Sequence, residues 1–155
     1  MFDGMGKTIF YNRGLPYLLV TIQLCALGYI ALSGSIFSKN WHGLLMELAG
    51  GVLAIWAVAL MRSNANVAPI PKQNGLLITK GPYKIIRHPM YTAQVIAVFP
   101  LVLEHNTPCR VAALIILIVT LLYKLHYEEK RLINHFGQPY EDYQKVSKRI
   151  LPFIY

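Results

Sequence analysis

The chain has 155 residues, of which 55% are hydrophobic and only 14% charged, whereas soluble domains carry about a quarter charged positions. This composition excludes an ordinary water-soluble globule and makes the bilayer the expected solvent. The net charge of +8 follows membrane topology along the chain and does not imply a nucleic-acid partner.

Residues 15–37, LPYLLVTIQLCALGYIALSGSIF, contain no charge and exceed the roughly 20 apolar residues a spanning helix needs. The small residues of ALSGS imitate a signal-peptidase site, but the apolar run is long for a cleaved leader, so it is read as a retained anchor. The lead-in KTIFYNRG is expected to run along the interface. Residues 41–61 hold a single charge, Glu47, and Gly50, Gly51, Ala54 and Ala57 give this span a small-residue face for close packing. Glu47 lies near the start of its span, where a functional acid and a snorkelled or paired structural acid are both open readings.

The loop 62–88, RSNANVAPIPKQNGLLITKGPYKIIRH, is rich in Asn, Pro, Gly and Lys and is expected to be irregular. GLLIT is a candidate short extended piece between Gly75 and Gly81. Long irregular loops are uncommon and often functional. Residues 89–103 and 110–127 form a third and a fourth apolar segment, joined by a short turn near 104–109. The expected fold is all-α, a single-domain polytopic membrane helix bundle of about four transmembrane helices. Cys25 and Cys109 are too distant in the chain to mark a disulfide framework or a metal site, and no metal is expected.

Charge sets the orientation. The 62–88 loop carries Arg62, Lys72, Lys80, Lys84 and Arg87 with no acid, and the tail adds Lys130, Arg131, Lys145, Lys148 and Arg149. The alternate loops hold only Lys39, Glu104 and Arg110. This asymmetry predicts that both termini and the 62–88 loop are cytoplasmic.

Two polar clusters stand out. In RHPMY, His88 precedes a proline and is biased away from helical geometry, while Pro89 suits a first helical turn. His88 is then at the N-cap of the third span, beside Arg87 and within one turn of Tyr91, where free N–H groups favour an anion. In KLHYEEKRL, Lys124 and Glu128 are four residues apart on one helix face, flanked by Glu129 and Lys130. Taken singly, these are also ordinary headgroup anchors and solvated helix ends. The hairpin joins them: its midpoint near residue 106 reflects His88 onto about residue 125. At about 1.5 Å per residue, 15 residues cover roughly 22 Å, short of a core of about 30 Å, so the shared level is at the cytoplasmic interface or just below it. Together the clusters suit a zwitterionic amino-acid group, its carboxylate toward His88, Arg87 and the helix start, its ammonium toward Glu128 or Glu129.

GPYKIIRHPMY followed by EEKRLINHFGQPYEDYQKVSKRILPFIY resembles the isoprenylcysteine carboxyl methyltransferases and the related phospholipid methyltransferases, integral-membrane enzymes that use S-adenosylmethionine. The paired patterns, G-P-Y-x4-R-H-P-x-Y and E-E-x2-L-x3-F-G-x2-Y-x2-Y, occur in the same order across one hairpin, and the terminal LPFI matches the isoprenylcysteine branch. The resemblance covers residues 62–155. It implies a cytoplasmic-face pocket built from the 62–88 loop, the hairpin of spans three and four, and the tail. It implies cofactor contacts at Leu76, Leu77, Ile78, Tyr83, His88, Pro89, Met90, Tyr91, Glu128 and Glu129. It implies a substrate contact from the basic residue one turn before the first glutamate; that residue is typically arginine, and here it is Lys124, which lacks arginine's planar fork.

The implied reaction moves a methyl group from a sulfonium to a lipid or prenylated acceptor, with Arg87, Lys124 and Glu128 as the reacting-site residues. A carboxylate acceptor needs a cation such as Arg87 or Lys124 to orient it. An amine acceptor, as in a phosphatidylethanolamine, needs a base such as Glu128, Glu129 or His88. Two other classes compete: a nicotinamide-dependent membrane reductase, for which no G-x-G-x-x-G fingerprint is present, and a non-enzymatic lipid-binding scaffold. The oligomeric state is not legible.

Overall fold

The computed structural model describes residues 14–61 and 76–151. The KTIFYNRG lead-in up to Arg13, the Arg62 and Lys72 charges, Gly75, and the terminal match beyond Leu151 lie outside the described residues. Among the described residues there are five α-helices and no strand: α1 (Leu15–Leu32), α2 (Trp41–Met61), α3 (Pro89–Glu104), α4 (Pro108–Phe136) and α5 (Gln138–Val146), with a 3-10 turn at Gly81–Lys84. The result is the all-α membrane bundle expected from hydropathy. Three helices, α1, α2 and α4, are long and apolar enough to cross a bilayer. The fourth expected span, α3, is a shorter apolar helix of 16 residues, about 24 Å long.

Two helices end away from the bounds of their apolar spans. α1 stops at Leu32, five residues before the end of its apolar run, because Arg110 closes it. The Arg110 guanidinium is 1% exposed, and its Nη2 donates to the Ile30 carbonyl at 2.5 Å, a cation where α1 leaves unpaired carbonyls and its negative dipole end. Gly34 passes directly against this guanidinium, leaving no room for a Cβ. α4 starts at Pro108, with Thr107 accepting from the Arg110 N–H at 3.3 Å as an N-cap. It runs on to Phe136, beyond the apolar span 110–127, which puts KLHYEEKRL on the helix as expected. The charged residues 128–131 continue the helix, and the stop is Gly137, whose φ of 61° and ψ of −136° form a backbone conformation open mainly to glycine.

α2 packs most extensively on α3 and α1 on α4. The core shared by α1, α3 and α4 includes Ala26, Ile30, Val98, Leu101, Leu114, Leu117 and Leu121. Close approach of α2 and α3 depends on Gly50, where an added Cβ would lie 2.8 Å from the Ala93 carbonyl oxygen and 3.0 Å from the Ala97 nitrogen. Gly51, its neighbour, has open space. Gly50→Val is therefore expected to destabilise the bundle by about 1–3 kcal/mol through overpacking, and Gly51→Val by much less. Thermal unfolding of the two variants in detergent checks the contrast.

At the end of the bundle away from the clusters, Glu47 takes a structural role. Its Oε1 accepts from the Ser38 backbone N–H at 2.8 Å, while both Glu104 carboxylate oxygens accept from the Lys39 N–H at 3.0 Å. Cys25 and Cys109 are unbonded and exposed.

Candidate active site

Each side of the site is shaped by local backbone rules. Gly81 has a φ of 60° and lies against Trp56 and Leu60, so only glycine fits there without strain. The 3-10 turn after it buries Tyr83. His88 is non-helical (φ −122°, ψ 58°), as expected before proline, and its carbonyl accepts from Tyr91 and Thr92 to begin α3. The expected juxtaposition across the hairpin is present. His88 Nδ1 stands 3.6 Å from Glu128 Oε2, and Nε2 stands 3.7 Å from Glu129 Oε1. The Tyr91 hydroxyl donates to Glu128 Oε2 at 2.8 Å, and the His88 and Tyr91 rings stack in parallel at 5.3 Å. His88 is buried, and Nε2 has no hydrogen-bond partner.

Arg87 and Glu129 do something the sequence did not announce: they latch the tail. Arg87 Nε donates to Glu129 Oε1 at 2.8 Å, and Arg149 Nε donates to Glu129 Oε2 at 3.0 Å. Arg87 Nη1 also donates to the Gln144 and Ser147 carbonyls and to Ser147 Oγ. Residues 85–88 meet the tail at a single parallel bridge, Ile86 to Lys148, with Lys148 N donating to Ile85 O, Arg87 N to Lys148 O and His88 N to Arg149 O. Thr92 Oγ1 donates to the Ile150 carbonyl at 2.8 Å. The Y-x2-Y motif falls on α5, where Tyr140 and Tyr143 share one buried face. The Tyr143 hydroxyl donates to the Tyr83 carbonyl at 2.5 Å, and burial pushes that phenol up to about 12, so it remains a neutral donor. Tyr143→Phe is expected to cost about 1 kcal/mol of stability through loss of this bond, read by thermal unfolding.

A cavity of about 230 Å³ opens beside the latch. Of the residues singled out in the sequence, Tyr83, Arg87, His88, Pro89, Met90, Tyr91, Lys124 and Glu128 line it. Leu76, Leu77, Ile78 and Glu129 do not; Leu76 is exposed, and residues 76–79 form no extended strand. Glu128 is the carboxylate in the lining, with its side chain 21% exposed. Lys124 is buried, its Nζ 5.3 Å from the Tyr91 ring centroid and donating to Gln23 Oε1 at 2.5 Å. Gln23 in turn donates to Gln94 Oε1 at 2.6 Å. Gln23 and Gln94, with Val20, Leu24 and Met61, complete the lining and were missed. The available signal was that each glutamine is the lone amide in its apolar run.

The arrangement offers an acid and a buried ammonium one helical turn apart, with a stacked imidazole–phenol pair beside them. These groups can orient a molecule that carries opposite charges, or two molecules of opposite charge, in a space shielded from bulk water. A family model described as "Phospholipid methyltransferase" matches residues 38–139, about two thirds of the chain. Two curated relatives, both called "Probable protein-S-isoprenylcysteine O-methyltransferase", come from Oryza sativa subsp. indica and subsp. japonica. Each is 36% identical over 118 residues, which is 74% of this chain and 62% of the relative's length. The motifs at both ends of the α3–α4 hairpin lie within or next to these matches, and the chain belongs to the phospholipid methyltransferase family.

Proposed function

We propose that the protein transfers a methyl group from S-adenosylmethionine to a lipid or lipid-modified acceptor at the membrane interface, in the manner of carboxyl O-methylation of a prenylcysteine. The observation that carries this reading is the cavity that Glu128, His88, Tyr91 and Lys124 line together. S-adenosylmethionine supplies an activated methyl group on a sulfonium. The residues fit such a molecule: the Glu128 carboxylate, partly exposed in the lining and flanked by His88 and Tyr91, suits its cationic groups.

The chain's own contribution is positioning and exclusion of water. Lys124 orients an anionic acceptor, which is already ionised and needs no base. Leu24 lines the cavity and is also 58% exposed on the outer face of α1, which supports entry of an apolar tail from the side, through the bilayer. The alternative acceptor is an amine of the phosphatidylethanolamine type, favoured by the family description; it would need Glu128 or His88 to take the proton.

Binding of labelled S-adenosylmethionine to the detergent-purified protein tests the reading, with a nicotinamide nucleotide as control. Saturable binding of the first alone is expected. Binding of the nicotinamide nucleotide alone would favour a reductase, and binding of neither a lipid-holding scaffold. We also infer that this site faces the cytoplasm. Lys80→Cys is expected to react with an impermeant thiol reagent from the cytoplasmic side alone and Lys39→Cys from the opposite side, in a Cys25→Ser, Cys109→Ser background; the reverse pattern would invert the orientation.

A further inference from the structure

Gln23 on α1, Gln94 on α3 and Lys124 on α4 form one hydrogen-bonded chain across three helices. Lys124 has only N–H groups, so the Gln23 atom facing it must be the amide oxygen. The Gln23 NH2 group therefore faces Gln94, and it must meet the Gln94 oxygen. That leaves the Gln94 NH2 group as the end of the chain, and Gln94 lines the cavity. Donor and acceptor chemistry alone fixes this polarity; the lysine, a permanent donor at one end, turns both amides the same way.

The same chain leaves a buried cation without a direct ion pair. Lys124 is 3% exposed and Gln23 6%, yet among the described residues no carboxylate comes within 4.0 Å of Lys124 Nζ. Its neighbours are a neutral amide and the Tyr91 ring. Glu128, one turn along, is committed through Oε2 to the Tyr91 hydroxyl. Glu128 attracts Lys124 from a distance, but a buried ammonium with no carboxylate in direct contact is still costly. An ammonium that also lines a cavity is a site short of an anion.

We propose that Gln23 and Gln94 are specificity-determining residues that make this wall of the cavity a donor-only surface, accepting a carboxylate acceptor and rejecting an ammonium one. Both amide oxygens are engaged within the chain, so the groups it leaves over are mainly N–H donors. A carboxylate has lone pairs for both the Lys124 ammonium and the Gln94 amide, whereas an ethanolamine ammonium would face like charge and unmatched donors. Gln23 acts as a positioning residue, holding Lys124 and setting the amide direction. This assignment rests on the methyltransferase reading and names the acceptor class for it.

The test is direct binding of two probes to the purified full-length protein: an N-acetylated prenylcysteine acid and the same molecule with a carboxamide in place of the acid. The wild type is expected to bind the acid at least tenfold more tightly. Gln94→Glu, which ends the chain in an acceptor and a negative charge, is expected to abolish that preference. Gln94→Met, which removes the amide without adding charge, should reduce it, and Gln23→Leu should reduce it by releasing Lys124. These are ratios of two ligands on one protein, so a variant that is merely less stable does not change them. Equal binding of acid and amide by the wild type, or an acid preference unchanged in Gln94→Glu and Gln94→Met, would overturn the proposal. S-adenosylmethionine binding, measured in parallel, separates the two ideas: its absence with the acid preference intact would sink the methyltransferase reading and leave the anion subsite standing.

Discussion

Glu129→Ala is expected to destabilise the protein by about 3–5 kcal/mol, the cost of leaving a buried charge without its partner. Glu129 has a side chain 4% exposed and holds two guanidiniums, that of Arg87 (7% exposed) on one oxygen and that of Arg149 on the other. Removing the carboxylate strands Arg87 beneath α5. It also loosens the pairing of residues 85–88 with 147–150, because Arg87 ties the same junction through Gln144 and Ser147. Arg87→Met should be costly for the same reason. The double variant should cost less than the sum of the singles, because each partner then lacks a charge to strand. Chemical denaturation of the four proteins in detergent measures this coupling. A cost below about 1 kcal/mol for Glu129→Ala would reduce the pair to a surface ion pair and remove the latch from the account.

Glu128→Ala and His88→Ala are expected to act on binding where Glu129→Ala acts on folding. Glu128 keeps partial exposure and lines the cavity, so the folded state loses little beyond the hydrogen bond from Tyr91. The bound methyl donor would lose a charge partner, worth about 2–5 kcal/mol where water is excluded. S-adenosylmethionine affinity should therefore fall by at least about 30-fold in either variant, with the unfolding transition retained. Tyr91→Phe should fall between, since it removes one neutral donor and keeps the ring that stacks on His88 and lies near Lys124. Affinity within twofold of wild type in both alanine variants would remove the donor site from this end of the cavity.

The parts of this molecule that follow from hydropathy were open to reading, because the bilayer leaves a chain few choices. The bounds of α2 coincide with its apolar run, and the closeness of His88 to Glu128 follows from counting residues around one short turn. The end of α4 could not be read from hydropathy, because the apolar run stops where the helix does not: backbone hydrogen bonding is indifferent to charge, and Gly137 is the residue that ends it. The latch was hidden for a different reason. Ile86 and Lys148 are far apart in sequence, and nothing local to either segment encodes their pairing. Arg87 looked like a substrate clamp because a guanidinium beside a helix start suits an anion equally well whether that anion is a ligand or Glu129. Gln23 and Gln94 were visible as amides in apolar runs, but their shared partner depends on how α1 and α3 are rotated about their axes, which hydropathy does not specify.

The central claim is that this cavity brings an activated methyl group beside a lipid-borne acceptor. It is tested most directly by incubating the purified protein in vesicles with S-adenosylmethionine labelled on the methyl carbon and a prenylcysteine acid. The account predicts a labelled product that releases volatile methanol on treatment with base, as a methyl ester does, and a rate at least tenfold lower in Glu128→Ala. No labelled product from the prenylcysteine acid, from phosphatidylethanolamine or from a total lipid extract would contradict it.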